Sequence, residues 1–278
     1  MDLRLTFNEV ASEYDRMRPL YVKELFDDVI KFTGLNSSKN ALEIGIGTGQ
    51  ATLPFLKTGC KVTAIELGNK MAEFTKIKFS EFENFDVINE DFESIILDDN
   101  AYDLIYSASA FQWITPEIGF PKVYQLLKSG GVFAKFNHSL FHAQGYDHVA
   151  AAMDKVYDKY RHAFYTDESI SLDKVHDKYR QALTSMDPPT PHSKEKCLWQ
   201  SNEIKQYGFA DVIYKSYHQT LIYDSQSYVS LISTYCDQIA LPENTRVQFG
   251  KEIKEAIDSN GGEFGLSDTI DLYLAIKP

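Results

Sequence analysis

A glycine-rich turn between two short apolar runs constrains the fold of this chain more than any other feature. It lies within the stretch from Asn40 to Gly68, NALEIGIGTGQATLPFLKTGCKVTAIELG. Its alternating glycines are Gly45, Gly47 and Gly49. The pattern after the turn predicts a helix over 50–57, and Pro54 is tolerated only near the first turn of that helix. A second apolar run ends at Glu66, so the stretch predicts a strand, a helix and a second strand.

This unit suits a nucleoside ligand. Glycines without a Cβ let the backbone turn sharply and let a ligand approach the main chain, while N–H groups at a helix start attract a carboxylate or phosphate. A carboxylate at the end of the neighbouring strand, here Glu66, can accept both hydroxyls of a ribose. Without such a ligand, we expect Glu66 to be an unpaired charge in a cleft.

The glycine spacing indicates which class of nucleoside-binding protein the chain resembles. The dinucleotide fingerprint is G-x-G-x-x-G, whereas this chain has G-x-G-x-G with an acid, Glu43, before the first glycine. That arrangement resembles the first motif, E/D-x-G-x-G-x-G, of class I S-adenosylmethionine-dependent methyltransferases. The resemblance implies an α/β, Rossmann-like, seven-stranded, mostly parallel sheet with an antiparallel last strand, plus a helical cap. It also implies S-adenosyl-L-methionine as cofactor and S-adenosyl-L-homocysteine as product.

Three further segments resemble a small-molecule branch of that class, similar to trans-aconitate methyltransferase and the type 11 methyltransferase domain. YDRMRPLY, residues 14–21, is similar to its Y-x-x-x-R-P-x-Y segment, and AFQW, residues 110–113, is similar to its A-x-H-W segment. Gln112 replaces the His, and an amide can position a group but cannot act as a base. YDSQSYVSLISTYC, residues 223–236, resembles the segment that ends in T-W-S, with Tyr235 in place of Trp.

The resemblance also implies a set of site residues. The candidate cofactor-binding residues are Tyr14, Arg18, Glu43, Gly45, Gly47, Gly49, Glu66, Met71, Asp91, Phe92 and Ser107. Among them, Arg18 is expected to reach the methionine carboxylate, Met71 to cover the adenine and Asp91 to accept from the adenine amino group. The acceptor-site candidates are Arg18, Gln112, Trp113 and Tyr235. No catalytic residue is identified, and no metal is expected.

The predicted organisation is a core interrupted by cap segments. The methyltransferase core is expected to comprise residues 1–137, 199–224 and 266–278, with the amino-terminal helices, 7–32, counted as part of the cap. The cap insertions are expected at 138–198 and 225–265. The first insertion contains a repeat, DKVYDKYRHAF from Asp154 and DKVHDKYRQAL from Asp173, which predicts two short amphipathic helices packed as a hairpin.

Bulk composition limits the partners. With 278 residues, a net charge of -12 and a pI near 5.0, the chain repels phosphate backbones, so nucleic acid is not expected as a partner. The three cysteines are far apart, which suggests a reducing cytoplasm and no structural zinc. No apolar run reaches the roughly 18 residues that a membrane span needs. We therefore expect a cytoplasmic monomer or homodimer with a small-molecule substrate.

The expected reaction is methyl transfer to a small molecule by in-line displacement, and the acceptor can be a carboxylate, a hydroxyl or an amine. A carboxylate acceptor requires no base but does require cationic groups. Arg18, Lys135, His138 and His142 are the candidates for that role. The sequence leaves open whether the acceptor proton, where there is one, needs a protein base.

Two other functions remain possible from the sequence. The first is a protein that binds the cofactor or its product without turnover, which the Gln112 substitution favours. The second is a nicotinamide-dependent dehydrogenase, because Tyr124 and Lys128 form the Y-x-x-x-K pair of short-chain dehydrogenases. That family also needs a T-G-x-x-x-G-x-G turn near its start, and this chain lacks one.

Overall fold

The computed structural model describes residues 3–165 and 194–278, which form two compact units. The sheet unit comprises residues 20–139, 194–217 and 269–278. The helical unit comprises residues 3–19, 140–165 and 218–268.

Seven strands form one sheet. The strands are β1 Asn40–Ile44, β2 Lys61–Glu66, β3 Phe85–Asn89, β4 Tyr102–Ala108, β5 Leu127–His142, β6 Ala210–Asp224 and β7 Glu263–Ile276. Their order across the sheet is β3-β2-β1-β4-β5-β7-β6. The first five strands pair in parallel. β7 runs antiparallel to β5, because the Gly130 N–H at the start of β5 donates to the Lys277 carbonyl just after the end of β7. The predicted fold class is confirmed.

The register of the parallel strands brings the glycine turn and Glu66 to the same edge. Ile44 at the end of β1 pairs with Ile65, and Glu66 at the end of β2 pairs with Asn89. The turn itself stays attached to β2, because the Gly45 N–H donates to the Ile65 carbonyl over 2.9 Å. Ligands of open parallel sheets bind beyond this carboxyl edge.

The helices follow from apolar stripes in the sequence. They are α1 Ala11–Met17, α2 Lys23–Thr33, α3 Thr52–Leu56, α4 Asn69–Lys78, α5 Pro116–Leu126, α6 Asp147–Tyr165, α7 Lys194–Gln206, α8 Ser225–Ile232, α9 Cys236–Ile239 and α10 Glu243–Asp258. A 3-10 helix, Leu3–Val10, precedes α1.

The central strands are buried on both faces. One face of β1, represented by Ala41, packs in a cluster with residues of α2 and α3, such as Phe26 and Phe55. The opposite face, represented by Leu42, packs in a second cluster with residues of α5 and α7, such as Val123. Parallel strands covered by helices on both sides are apolar on both faces, which is why β1 and β2 appear in the sequence as continuous apolar runs.

The helical unit has a core of its own. Residues of α6, α8 and α10, among them Met153, Leu231 and Ile253, are buried together in a third cluster. On the solvent-exposed side of the contact between α6 and α10, Lys159 of α6 donates to Glu252 of α10 over 2.6 Å. This unit therefore has the packed apolar core that a stable helical layer requires.

Element ends differ from the predictions where polar residues continue a strand. β5 covers Leu127–His142 and β7 covers Glu263–Ile276, so both strands include polar residues at their ends. The helix after the glycine turn begins at Thr52 and not at residue 50. The first repeat copy, from Asp154, lies in α6. The second copy, from Asp173, lies outside the described residues, so the hairpin stays a prediction.

No helix within residues 3–165 and 194–278 is long and apolar enough to cross a lipid bilayer.

A buried glycine in α5 tests the packing of the second cluster. Ala is favoured over Gly in a helix by about 1 kcal/mol, but overpacking a core costs about 1–3 kcal/mol. A Cβ added to Gly119 would lie 2.6 Å from a methyl carbon of Ile114 and 3.0 Å from the Phe111 ring. We therefore expect Gly119→Ala to lower the free energy of unfolding in urea.

Gly250→Ala in α10 is the matched control. Its added Cβ would meet a single methyl of Val229 at 3.2 Å, so this variant should be the more stable of the two. A Gly119→Ala protein more stable than the parent would show that the site has room.

Candidate functional site

The three glycines of the turn have different surroundings. All three have positive φ: 70° at Gly45, 58° at Gly47 and 80° at Gly49. A Cβ added to Gly45 would lie 2.5 Å from the Cβ of Ala110, and one added to Gly49 would lie 2.4 Å from the Phe79 ring. A Cβ added to Gly47 has nothing within 4 Å. The fold therefore requires Gly45 and Gly49, while Gly47 borders open space that a ligand could occupy.

Glu66 is held by the backbone on both sides. Its Oε2 accepts the Gly47 N–H over 2.8 Å, and its Oε1 accepts the Gly68 N–H over 2.8 Å. The expectation that Glu66 is an unpaired charge without a ligand is therefore wrong. Burial raises the pKa of the Glu66 carboxyl, and the backbone hydrogen bonds oppose that rise. Each carboxylate oxygen still has a second lone pair with which it can accept a ligand hydroxyl.

Two buried polar atoms of the turn lack partners. Among the described residues, neither Thr48 Oγ1 nor Gln50 Nε2 has a hydrogen-bond partner. Leaving such a group unsatisfied costs about 1–3 kcal/mol, so it usually marks a ligand or a bound water. These atoms fit a ligand that carries polar groups of its own.

Glu43, the acid before the first glycine, lies inside the first cluster. Its Oε2 accepts hydrogen bonds from Thr52 Oγ1 over 2.7 Å and from the Tyr106 hydroxyl over 2.8 Å. Burial raises the pKa of Glu43 to about 7, although these two hydrogen bonds act to lower it. Glu43 thereby ties β1 to α3 and β4, and its assignment to the cofactor site stays a prediction.

Asp91 and Phe92, which are expected around the adenine, both follow β3, and Phe92 packs in the second cluster. Asp91 Oδ1 accepts the Glu93 N–H over 3.0 Å, which forms a turn directly after β3. Phe92 is buried, and the Lys122 ammonium lies 5.2 Å from its ring centre. The structure thus gives both residues local roles, and their contacts with a cofactor stay predictions.

Met71 and Ser107 are both buried. Met71 is 2% exposed on α4. Ser107, at the carboxyl end of β4, donates its hydroxyl to the Ile44 carbonyl over 3.0 Å. That bond joins β4 to the end of β1 where the glycine turn begins. The contacts of both residues with a cofactor stay predictions.

In the helical unit, Arg18 lies between two tyrosines. Its guanidinium carbon is 4.6 Å from the Tyr14 ring centre and 4.4 Å from that of Tyr235. Nη2 donates to the Thr234 carbonyl over 2.8 Å, while the buried Nε has no partner among residues 3–165 and 194–278. The structure brings Tyr14, Arg18 and Tyr235 together. Their roles towards the cofactor and the acceptor stay predictions.

Gln112 and Trp113 belong to the sheet unit, in a one-turn 3-10 helix that follows β4. Gln112 Nε2 donates to the Ser109 carbonyl over 2.8 Å. The amide therefore holds a backbone segment at the carboxyl edge of the sheet. Trp113 is half-buried.

Sequence reasoning assigned no role to Tyr21 and Ser109, which lie close to Gln112 and His138. The Tyr21 hydroxyl lies 2.8 Å from Ser109 Oγ, and the Tyr21 ring stacks on His138. Tyr21 closes the R-P-x-Y segment, so that motif could have pointed to it. Ser109 gave no signal, because its left-handed backbone, with φ of 53°, is not visible in the sequence.

The strand order, the glycine turn after β1 and the anchored acid at the end of β2 form a Rossmann-like α/β arrangement. The family model described as "Methyltransferase domain" matches residues 42–134. This part of the chain is thus a methyltransferase domain. This finding favours the methyltransferase interpretation over the nicotinamide-dependent dehydrogenase.

Curated relatives match just under half of the chain. An uncharacterised methyltransferase from Mycobacterium tuberculosis is 28% identical over 130 residues, 47% of this chain and 51% of that protein. A malonyl-[acyl-carrier protein] O-methyltransferase from Ilyobacter polytropus is 33% identical over 132 residues, 46% of this chain and 48% of that protein. The chain thus spans about half the length of the curated relatives that it matches.

A solved structure supports the fold. Phosphoethanolamine N-methyltransferase 2 from Haemonchus contortus, in complex with phosphomonomethylethanolamine and S-adenosylhomocysteine, is similar with a TM-score of 0.56 at 13% identity. The match covers 100% of this chain and 60% of that chain. At this identity the likeness shows the fold alone.

The buried Glu43 makes stability depend on pH. Its pKa is raised from 4.5 to about 7 in the folded protein, so between these values only the unfolded chain loses the proton. The contribution of Glu43 to stability is therefore largest below about pH 4.5 and falls by about 3 kcal/mol as pH rises to about 7. Glu43→Gln, which keeps an acceptor oxygen, should remove that part of the slope in urea unfolding at pH 5 and 7.5.

Glu90→Gln, at an exposed glutamate just after β3, controls for the loss of one negative charge. If Glu43→Gln and Glu90→Gln show the same change of stability between the two pH values, the Glu43 carboxyl does not carry the effect.

Proposed function

We propose that this protein binds S-adenosylmethionine at the carboxyl edge of the sheet unit and transfers its methyl group to a small-molecule acceptor. The observation that carries the proposal is the Glu66 carboxylate, fixed by the N–H groups of Gly47 and Gly68 beside the open side of Gly47. A strand-end acid held in place in this way is prepared to accept the hydroxyls of a ribose.

The residues present fit the cofactor. Glu66 would hold the ribose, and Gly47 leaves room for the ligand against the backbone. The buried polar atoms of Thr48 and Gln50 would gain partners from a ligand that has hydrogen-bonding groups. The cofactor roles of Met71, Asp91, Phe92, Ser107 and the other candidates belong to this proposal. It is also supported by solved methyltransferases of similar fold that contain the cofactor or its product.

Arg18 is proposed to bind an anionic group. Its two stacked tyrosines fix the plane of the guanidinium, and the Thr234 carbonyl satisfies one nitrogen. The buried Nε then remains to donate to a ligand. A guanidinium binds a carboxylate through a pair of parallel N–H groups, so the methionine carboxylate or an acidic acceptor would suit it.

The chemistry requires few side chains. When bound, S-adenosylmethionine supplies a methyl group on a sulfonium, which is already an activated leaving group. The protein then contributes by aligning the acceptor with the methyl group and by excluding water. The similar proteins include an O-methyltransferase and an N-methyltransferase, so the proposal leaves the acceptor atom open.

Calorimetry with S-adenosylmethionine, S-adenosylhomocysteine and NAD tests the binding step. We expect the first two to bind and NAD not to bind. A turnover assay with organic acids, alcohols and amines then separates the enzyme from a protein that binds without turnover. Binding of NAD alone would contradict the proposal.

Glu66→Ala should lose about 2 kcal/mol of cofactor affinity, since it removes two charge-assisted hydrogen bonds to the ribose. Glu90→Ala removes an exposed acid near the same edge of the sheet and should leave the affinity unchanged. Because Glu66 also holds the backbone N–H groups of Gly47 and Gly68, circular dichroism must first show that the variant is folded. Parent-like affinity in a folded Glu66→Ala protein would refute the ribose assignment.

Gly47→Val should abolish cofactor binding with little change of fold. The branched side chain would occupy the open space beside the turn, and it adopts positive φ only with strain. Gly130→Val is the matched control, since Gly130 also has positive φ, 76°, and nothing within 4 Å of an added Cβ, but lies near the start of β5. The expected result is loss of the calorimetric signal only in Gly47→Val. Equal effects of the two substitutions would place the ligand elsewhere.

A further inference from the structure

Tyr21, Ser109 and His138 meet just after the end of β4, beside β5, and the family motifs give none of them a catalytic role. The Tyr21 hydroxyl is 2.8 Å from Ser109 Oγ. The rings of Tyr21 and His138 stack with centres 4.2 Å apart at 25°. The His138 backbone N–H donates to Ser109 Oγ over 3.4 Å. All three residues are half-buried, so they are neither in the core nor on the open surface.

The backbone of Ser109 is held in an unusual conformation. Its φ of 53° is one that residues other than glycine rarely adopt. Its N–H donates to the Phe136 carbonyl over 2.8 Å, and its carbonyl accepts from Gln112 Nε2 over 2.8 Å. Backbone strain that the surroundings maintain in this way is concentrated at functional sites. In this conformation the Ser109 side chain contacts Tyr21 and the backbone of His138 in β5.

This group lies beside the proposed cofactor turn. A Cβ on Gly45 would be 2.5 Å from the Cβ of Ala110, the residue that follows Ser109. The turn and the segment after β4 are therefore in direct contact at the carboxyl edge. An acceptor held by this group would lie next to the place where the cofactor is expected.

We propose that His138 is a catalytic base, with Tyr21 and Ser109 as its positioning residues, and that the acceptor is therefore a hydroxyl or an amine. This inference rests on the proposed methyl transfer. The acceptor proton passes to an imidazole nitrogen, and the electron pair left on oxygen or nitrogen forms the bond to the methyl carbon. The carbon–sulfur pair goes to sulfur, which becomes a neutral thioether. The imidazolium then releases the proton to water.

Chemistry favours His138 over its neighbours for this role. Gln112 is an amide and cannot take a proton, while tyrosine and serine hydroxyls give theirs up only at high pH. Histidine is the side-chain type that exchanges protons near neutral pH. A carboxylate acceptor has no proton to lose at neutral pH, so its methylation would not need a base.

The test uses the full chain and measures transfer of a labelled methyl group from S-adenosylmethionine. The probes are phenol and ethanolamine, which carry a proton to be lost at neutral pH, and malonate and trans-aconitate, which do not. The variants are His138→Ala, His138→Asn, which leaves a smaller cavity, and Tyr21→Phe. His148→Ala, at an exposed histidine of α6, is the control.

We expect methylation of a proton-bearing probe only, with at least a 100-fold loss of kcat in both His138 variants and parent-like rates in His148→Ala. Added imidazole should restore His138→Ala, whereas pyrazole, of the same shape but far less basic, should not. Tyr21→Phe should lower kcat less than the His138 variants do. Restoration by both heterocycles would show that His138 only fills space and would overturn the proposal.

A second readout does not depend on turnover. With S-adenosylhomocysteine present at pH 6, bound 4-nitrophenol should show the absorbance of the phenolate in the parent and of the neutral phenol in His138→Asn. Methylation of malonate or trans-aconitate by the parent, at a rate that the His138 variants keep, would overturn the proposal. So would a parent that binds S-adenosylmethionine but methylates neither proton-bearing probe. If S-adenosylmethionine itself does not bind, the proposed function fails first.

Discussion

The carboxylate of Glu66 fixes the geometry on which the candidate site depends. One of its oxygens accepts an N–H from the turn after β1, and the other accepts an N–H from the residue just before α4. A single side chain therefore joins the first strand, the second strand and the next helix at one point. Because the acceptors are fixed and buried, the turn keeps its shape before any ligand arrives, and preorganisation of this kind reduces the entropy lost on binding.

A second buried acid lies close to the first. Glu43 is 1% exposed and Glu66 is 9% exposed, and burial raises the pKa of both. The negative charge of Glu66 also contributes to the rise at Glu43. Glu43 reaches down to Thr52 and Tyr106 in the core, whereas Glu66 holds backbone at the edge of the sheet. The glycine turn is thus supported from the core side by one acid and from the neighbouring strand by the other.

The sequence predicted the parts of the fold that local patterns determine. The apolar runs before the turn and before Glu66 gave β1 and β2 because strands buried on both faces need continuous apolar residues. It failed where partners are distant. Arg18 donates to Thr234, 216 residues away, and no local pattern specifies that bond. Ser109 was missed for a related reason, since its backbone angle is imposed by Phe136 and Gln112 and not by its own residue type.

The different packing around the turn glycines has a consequence for how such a chain can change over generations. Gly45 and Gly49 are required by neighbouring side chains of the fold itself, whereas Gly47 is bounded by space alone. A descendant released from the need to bind its ligand could lose Gly47 first and still fold. Gly45 and Gly49 would then persist because the fold requires them. The presence or loss of Gly47 would indicate whether the descendant still binds the ligand.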